Sequence, residues 1–305
     1  MSGWKPAGEV EIIAGTPPGG GTDRSARTLL KSIEANKLMD VPAKVVNIAG
    51  DGGRKAWVHI AGRQGDANLV GISSPNNVTD VLTGIVKAET IRSLPIAILY
   101  NEYMVFITNA KSPIMSGADL LQRLKTDPEK VTISLSTSLG NPNHIAMAKV
   151  IKHAGVPVTT PKICAFDSAR DVVADIVAGN ADIGVITAAS TVPELEAGQV
   201  RAIAMSSPER LKGAFASCPT WKEQGVDCDV GAWRGAAGAV GIKPEQIAYW
   251  EGVLSKAVTT KEWNEEADRY FWSEMYLDGD KLKAYLKQEH ADMTSILGAL
   301  GLLKV

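Results

Sequence analysis

Short apolar runs rich in β-branched residues recur along the chain, and between them lie longer stretches in which apolar positions return every three or four residues. Val10-Glu11-Ile12-Ile13-Ala14, Val45-Val46, Leu69-Val70-Gly71-Ile72, Val131 to Leu135, Ile183 to Ile186 and Val200 to Ala204 read as strands, and the intervening segments as amphipathic helices. Such alternation marks an α/β fold. In open α/β sheets, ligand sites form beyond the carboxyl ends of the strands. The residues there are polar or small: Ser73-Ser74-Pro75-Asn76-Asn77, then Ser136-Thr137-Ser138-Leu139-Gly140-Asn141-Pro142-Asn143-His144, Phe166-Asp167-Ser168 and Thr187-Ala188-Ala189-Ser190. The C-terminal third turns helical, with Pro244 and Glu245 suited to a first turn. Leu282, Tyr285, Leu286, Met293, Ile296, Leu297 and Leu300 form a stripe at helical spacing, which reads as core packing.

One connection stands out. The first strand runs into Thr16-Pro17-Pro18-Gly19-Gly20-Gly21-Thr22-Asp23, and a helical pattern begins near Arg24. Three glycines let backbone approach a ligand without Cβ atoms in the way, and the unmade N–H bonds of a first helical turn attract an anion. Plain turn geometry is the competing reading of the same residues. The loop is no Walker A motif, lacking Gly-Lys-Ser/Thr, and no dinucleotide fingerprint, since Arg24 stands where a third glycine is needed. A carboxylate is therefore the better candidate anion. Ser136 to His144 repeats the logic, with a helix expected to start near Asn143. Two such loops predict two lobes, residues 1–102 with 231–305 and residues 103–230, each aiming a helix start at a shared cleft. Asp23 fits either a first-turn carboxylate favoured by the macrodipole or a direct ligand contact, with Arg27 one turn on as its partner. Arg234, in Trp233-Arg234-Gly235, either offsets a second carboxylate through a two-pronged hydrogen bond or is a surface arginine.

Composition narrows the choices. The 305 residues, 45% of them hydrophobic, suffice for two domains, and a net charge of −2 argues against nucleic acid or an anionic membrane as partner. No run approaches the ~18 apolar residues of a membrane span. Cys164, Cys218 and Cys228 contain no CxxC pair and the four histidines are scattered, so no metal site is expected. Cys218 and Cys228 fit a disulfide or two buried thiols equally well. No GxSxG elbow places a serine nucleophile. An enzyme of the hydrolase or isomerase class would have to use His144 and Asp167 as acid-base groups, whereas His144 beside Asn141 and Asn143 at a helix start points to capping or ligand contact.

Pro17 to Asp23, Val46-Asn47 followed by Gly50-Asp51-Gly52-Gly53, the Ser136 to His144 loop, Gly179-Asn180-Ala181-Asp182, Ala197-Gly198-Gln199-Val200-Arg201 and Trp233-Arg234-Gly235 extend, in that order, over nearly the whole chain. Together they resemble the substrate-binding receptors of tripartite tricarboxylate transporters, the Bug receptors. The resemblance implies a two-lobed type II periplasmic binding fold closing on a small organic carboxylate, whether di-, tri- or aromatic. It implies a non-enzymatic periplasmic monomer without cofactor that serves an integral-membrane permease, its leader removed ahead of Met1-Ser2-Gly3. It assigns carboxylate binding to Thr16, Pro18, Gly19, Gly20, Gly21 and Thr22 in one lobe, and to Ser136, Thr137, Ser138, Gly140, Asn141 and His144 in the other. Ser74, Asn76, Asn77, Phe166, Asp167, Thr187 and Ala188 form the remaining walls. Two positions depart from the family pattern: Thr16 replaces an aromatic residue and Phe166 a tyrosine, changes that alter which acid fits.

Overall fold

A computed structural model describes residues 3 to 304. Met1 and Ser2, taken above as the edge of a removed leader, lie outside the described residues. The chain divides into two compact units. The first comprises the described residues up to Asn101 with Trp233–Ser295 and Lys304, and the second Glu102–Ala232 and Ile296–Leu303.

The first unit opens with strand β1 (Val10–Ala14), helix α1 (Gly21–Ala35), β2 (Ala43–Asn47), α2 (Arg54–Ala61), β3 (Leu69–Ser73), α3 (Asn76–Leu82) and β4 (Leu94–Asn101). The second unit holds β5 (Met104–Asn109), α4 (Gly117–Thr126), β6 (Thr132–Ser136), α5 (Pro142–His153), β7 (Lys162–Phe166), α6 (Ala169–Ala178), β8 (Ile183–Thr187), α7 (Val192–Glu196) and β9 (Val200–Met205). The chain then returns to the first unit as β10 (Arg234–Gly238), α8 (Pro244–Ala257), α9 (Lys261–Tyr270) and β11 (Ser273–Asp278), followed by α10 (Gly279–Ala299).

Each unit has its own sheet. In the first the order is β11-β4-β10-β3-β1-β2, and in the second β7-β6-β8-β5-β9. Strands β1, β2 and β3 are mutually parallel, as are β6, β7 and β8, so three helix-leading loops leave the same edge of each sheet. Strand β3 is buried along its length, and a Cβ on its Gly71 would run into Ile60 and the Trp57 ring, which is how closely α2 lies on the sheet.

The cores are separate. Ile12, Leu29, Val70, Ile96 and Trp250 anchor the first, with Trp250 Nε1 donating to Ala67 O at 3.0 Å. Phe106, Ile133, Met147, Val185 and Trp221 anchor the second. Each such side chain contributes roughly 1.5–3 kcal/mol on burial. Leu282, Met293 and Leu297 on α10 and Leu300 just after it are buried, the packing role expected of that stripe. Helix α6 ends at Gly179, whose φ of 76° is left-handed, the conformation a glycine C-cap takes at least cost.

All three cysteines are free thiols, which decides between the two readings of Cys218 and Cys228. Both are buried, and burial pushes each thiol up to about 12. Among the described residues, no helix is long and apolar enough to cross a membrane.

Candidate functional site

Helix α1 begins at Gly21, three residues before the expected start near Arg24, and the reason lies in the loop's own hydrogen bonds. Gly20 N–H donates to Pro17 O at 3.0 Å, which closes a tight turn. The Gly19 N–H donates to Asp23 Oδ2 at 2.7 Å and the Asp23 N–H to Thr16 Oγ1 at 3.1 Å, while the Thr16 and Thr22 hydroxyls meet at 2.9 Å. Thr16 thus serves the loop itself. A Cβ on Gly20 would come within 2.5 Å of Thr16 Cβ, and Gly19 sits at a φ of 84°, so both glycines are required by the turn.

The Asp23 carboxylate is fully engaged inside this structure. It accepts from Arg27 Nε at 3.0 and 2.9 Å, from Asn47 Nδ2 at 2.8 Å and from Gly19. Burial alone would raise its pKa; the hydrogen bonds from Arg27, Gly19 and Asn47 outweigh burial and hold the carboxyl below the usual range. Of the two roles open to Asp23, the scaffold role is the one seen. Asn47 also donates to Thr16 O at 2.9 Å, tying the end of β2 to the loop.

The consequence concerns the backbone donors. Gly20 is the N-cap of α1 and offers no side chain, whereas α4, α5, α6 and α9 are capped by Ser116, Asn141, Ser168 and Thr260. The N–H groups of Gly19, Gly20 and Asp23 are used internally. Those of Gly21 and Thr22 have no partner among the described residues. Arg234, at the start of β10, brings Nη2 to 3.7 Å from where a Cβ of Gly21 would sit. Sequence reasoning left Arg234 undecided and did not single out Asn47 within its motif. Asn47 was detectable as the polar residue closing the Val45-Val46 run, whereas the reach of Arg234 depends on tertiary structure.

In the second unit, α5 starts at Pro142, one residue before the expected Asn143, because the Asn141 side chain accepts from His144 N–H at 3.1 Å. Asn141 Nδ2 and Asn143 Nδ2 both donate to Ser136 O, at 2.5 and 2.8 Å, and Asn141 also reaches Thr137 Oγ1 at 3.0 Å. These bonds fix the loop from within. Gly140 N–H donates to His144 Nδ1 at 2.9 Å, which places the ring proton on Nε2. Burial lowers the His144 pKa to about 4. A neutral imidazole whose acceptor nitrogen is already engaged can donate through Nε2, and it is poorly set up as a general base.

The remaining candidates lie at the same strand ends. In the first unit, Ser74 and Asn76 lead into α3. Asn77, with its amide turned to face Trp57, accepts from Trp57 Nε1 at 3.1 Å and donates to Ser74 O at 3.1 Å, which is a structural role. Arg54 on α2 reaches Asp80 on α3 at 3.1 Å and holds the neighbouring loops together. In the second unit, Thr187 meets Ser190 at 3.2 Å, buried Ala188 donates its N–H to Tyr103 O at 3.1 Å, Phe166 is half-buried and Asp167 exposed. The candidates therefore fall into two groups, one at the carboxyl edge of each parallel strand set.

Residues 35–302 match the family described as "Tripartite tricarboxylate transporter family receptor", a span that begins where α1 ends. Protein BugT of Bordetella pertussis (strain Tohama I) is 23% identical over 261 residues, covering 84% of this chain and 78% of that protein. A Rhodopseudomonas palustris protein solved with adipate superposes with a TM-score of 0.85 at 17% identity, over 98% of this chain and 99% of that one. MatC of the same organism, solved with bound malate, gives 0.81 at 18% identity, over 96% and 99%.

Proposed function

The chain belongs to the tripartite tricarboxylate transporter receptor family, and from that premise we propose that it is a periplasmic receptor that captures a small organic carboxylate and delivers it to a membrane permease, without transforming it. The observation that carries the reading is the uncapped start of α1. Gly21 and Thr22 present two N–H donors at the positive end of a 15-residue helix, beside a guanidinium. In the second unit, the Ser136 to His144 loop offers His144 Nε2–H as a neutral donor at the same kind of strand-end position. The malate and adipate held by the two R. palustris proteins support a dicarboxylate of four to six carbons.

The hydrolase or isomerase alternative needs His144 to take a proton, and its engaged Nδ1 favours binding over turnover. The periplasmic setting, the permease partner and the monomeric state follow from the family reading. Thermal melting in the presence of mono-, di-, tri- and aromatic carboxylates tests the proposal, after denaturation and refolding to strip any carried ligand. An acid at ~100 times its dissociation constant adds about 2.7 kcal/mol, which for a chain of this length raises the melting temperature by about 4 °C. A rise confined to one class of acid is expected. No rise with any acid, or consumption of a bound acid over hours, would overturn the reading.

A further inference from the structure

Two backbone N–H groups bind a neutral carbonyl oxygen as readily in kind as a carboxylate oxygen, so the start of α1 alone does not read charge. Arg234 does have the means. Its Nη2 lies over Gly21, 3.7 Å from the position of a Cβ there, and its Nη1 donates to Trp233 O at 3.2 Å. The residue is held firmly. On one side the buried Trp233 indole donates to both oxygens of Glu289 at 2.6 Å. On the other, Gly235 admits no side chain, since a Cβ would come within 2.6 Å of Ala97 O and 2.9 Å of Ser73 Oγ. Strand β10 also shifts register between Arg234 and Gly235, which sets Arg234 at an irregularity where the strand begins. A long cationic side chain is thus anchored at its base beside two open donors, and its Nη1 bond to Trp233 O holds the guanidinium.

We infer that Arg234 is a specificity-determining residue: it restricts the site beside Gly21 and Thr22 to an ionised carboxylate and excludes the uncharged amide of the same shape. The inference rests on the receptor reading above and goes further, since it names the ionic form of the ligand and the side chain that selects it. A guanidinium offers a planar pair of donors and a full charge to one carboxylate, whereas an amide presents it with one oxygen and an NH2 group that only donates.

Isothermal titration with succinate, glutarate, adipate, citrate and benzoate, each paired with its fully amidated counterpart, tests this on refolded wild-type protein and on Arg234→Gln and Arg234→Lys. The wild type is expected to bind at least one acid, and to bind the matching amide at least 30-fold more weakly. Arg234→Gln should lose about 30-fold in affinity for that acid and little for the amide, with Arg234→Lys between the two. Unchanged acid affinity in Arg234→Gln would overturn the inference and leave the receptor reading standing. Wild-type protein that binds none of the five acids would overturn the receptor reading, and the inference with it. Should Arg234→Gln melt far below the wild type without ligand, Arg234→Lys and the wild-type ratio of acid to amide decide, and a ratio near one refutes the role.

Discussion

Glu289 provides a test of the physical reasoning that needs no ligand. Its carboxylate accepts from Trp233 Nε1 at 2.6 Å on both oxygens, and Trp233 is itself buried in a cluster with Ile98 and Leu282. Burial pushes the carboxyl up to about 7 from its ordinary 4.5, hydrogen bonds from Trp233 and Tyr285 pull it part of the way back, and Asp292 adds to the rise. The folded protein therefore holds a proton that the unfolded chain releases between these two pH values. Stability is intact below about pH 4.5 and falls as pH rises through about 7, by an upper figure of about 3 kcal/mol. His144 acts in the opposite sense. Burial lowers it from 6.5 to about 4, so its contribution is intact above pH 6.5 and is lost as pH falls toward 4, again by about 3 kcal/mol at most. Between pH 4.5 and 6.5 the two slopes oppose one another and the wild type should be nearly flat. Glu289→Gln keeps an acceptor for Trp233 and removes one slope. Urea unfolding at pH 4.5, 5.5, 6.5 and 7.5, followed by tryptophan fluorescence, should show the variant gaining about 2–3 kcal/mol from pH 4.5 to 6.5 while the wild type barely changes. Parallel curves for the two proteins across that range would refute the assignment of Glu289 as a half-buried, raised carboxyl.

Three further outcomes follow from the geometry. Gly20→Ala drives a Cβ to 2.5 Å from Thr16 Cβ, so urea unfolding should show a loss of about 1–3 kcal/mol, and a loss near zero would mean the turn is looser than described. Asp23→Ala strands the donors of Gly19, Arg27 and Asn47, and should cost about 2–3 kcal/mol at pH 7. Because the Asp23 carboxyl is held below its ordinary range, that cost should shrink as pH falls below the unfolded value; a pH-independent cost would show that the charge is not what matters. A thiol reagent should label exposed Cys164 alone in the native protein and all three cysteines in denaturant; two or three rapidly reacting native thiols would contradict the burial of Cys218 and Cys228.

The strands that alternate with helices were legible because they are short, β-branched and buried on both faces: β1, β3 and β8 lie where their apolar runs place them. Strand β10 was not, since Arg234-Gly235-Ala236-Ala237-Gly238 has little intrinsic strand preference and owes its conformation to pairing with β3 and β4. Strands β7 and β11 sit at sheet edges with mixed burial, which erases the apolar signal. At the candidate site, sequence reasoning located both helix-leading loops but could not apportion their donors. It grouped Gly19 to Thr22 as one set, whereas Asp23, Thr16 and Pro17 take up the N–H groups of Gly19, Gly20 and Asp23, leaving those of Gly21 and Thr22. The bond between Trp233 and Glu289 joins residues 56 positions apart, and the approach of Arg234 to Gly21 spans more than 200; neither has a local pattern to announce it.

The central claim is that a carboxylate sits on the N–H groups of Gly21 and Thr22. The most direct measurement is a heteronuclear NMR titration of refolded protein, labelled with 15N-glycine and 15N-threonine, with the acid that raises the melting temperature most. The account predicts that the Gly21 and Thr22 amide resonances move downfield and saturate with the calorimetric affinity, while Gly179 and Gly241, distant in the chain and in other loops, stay in place. Saturable binding of that acid with Gly21 and Thr22 unmoved would contradict it.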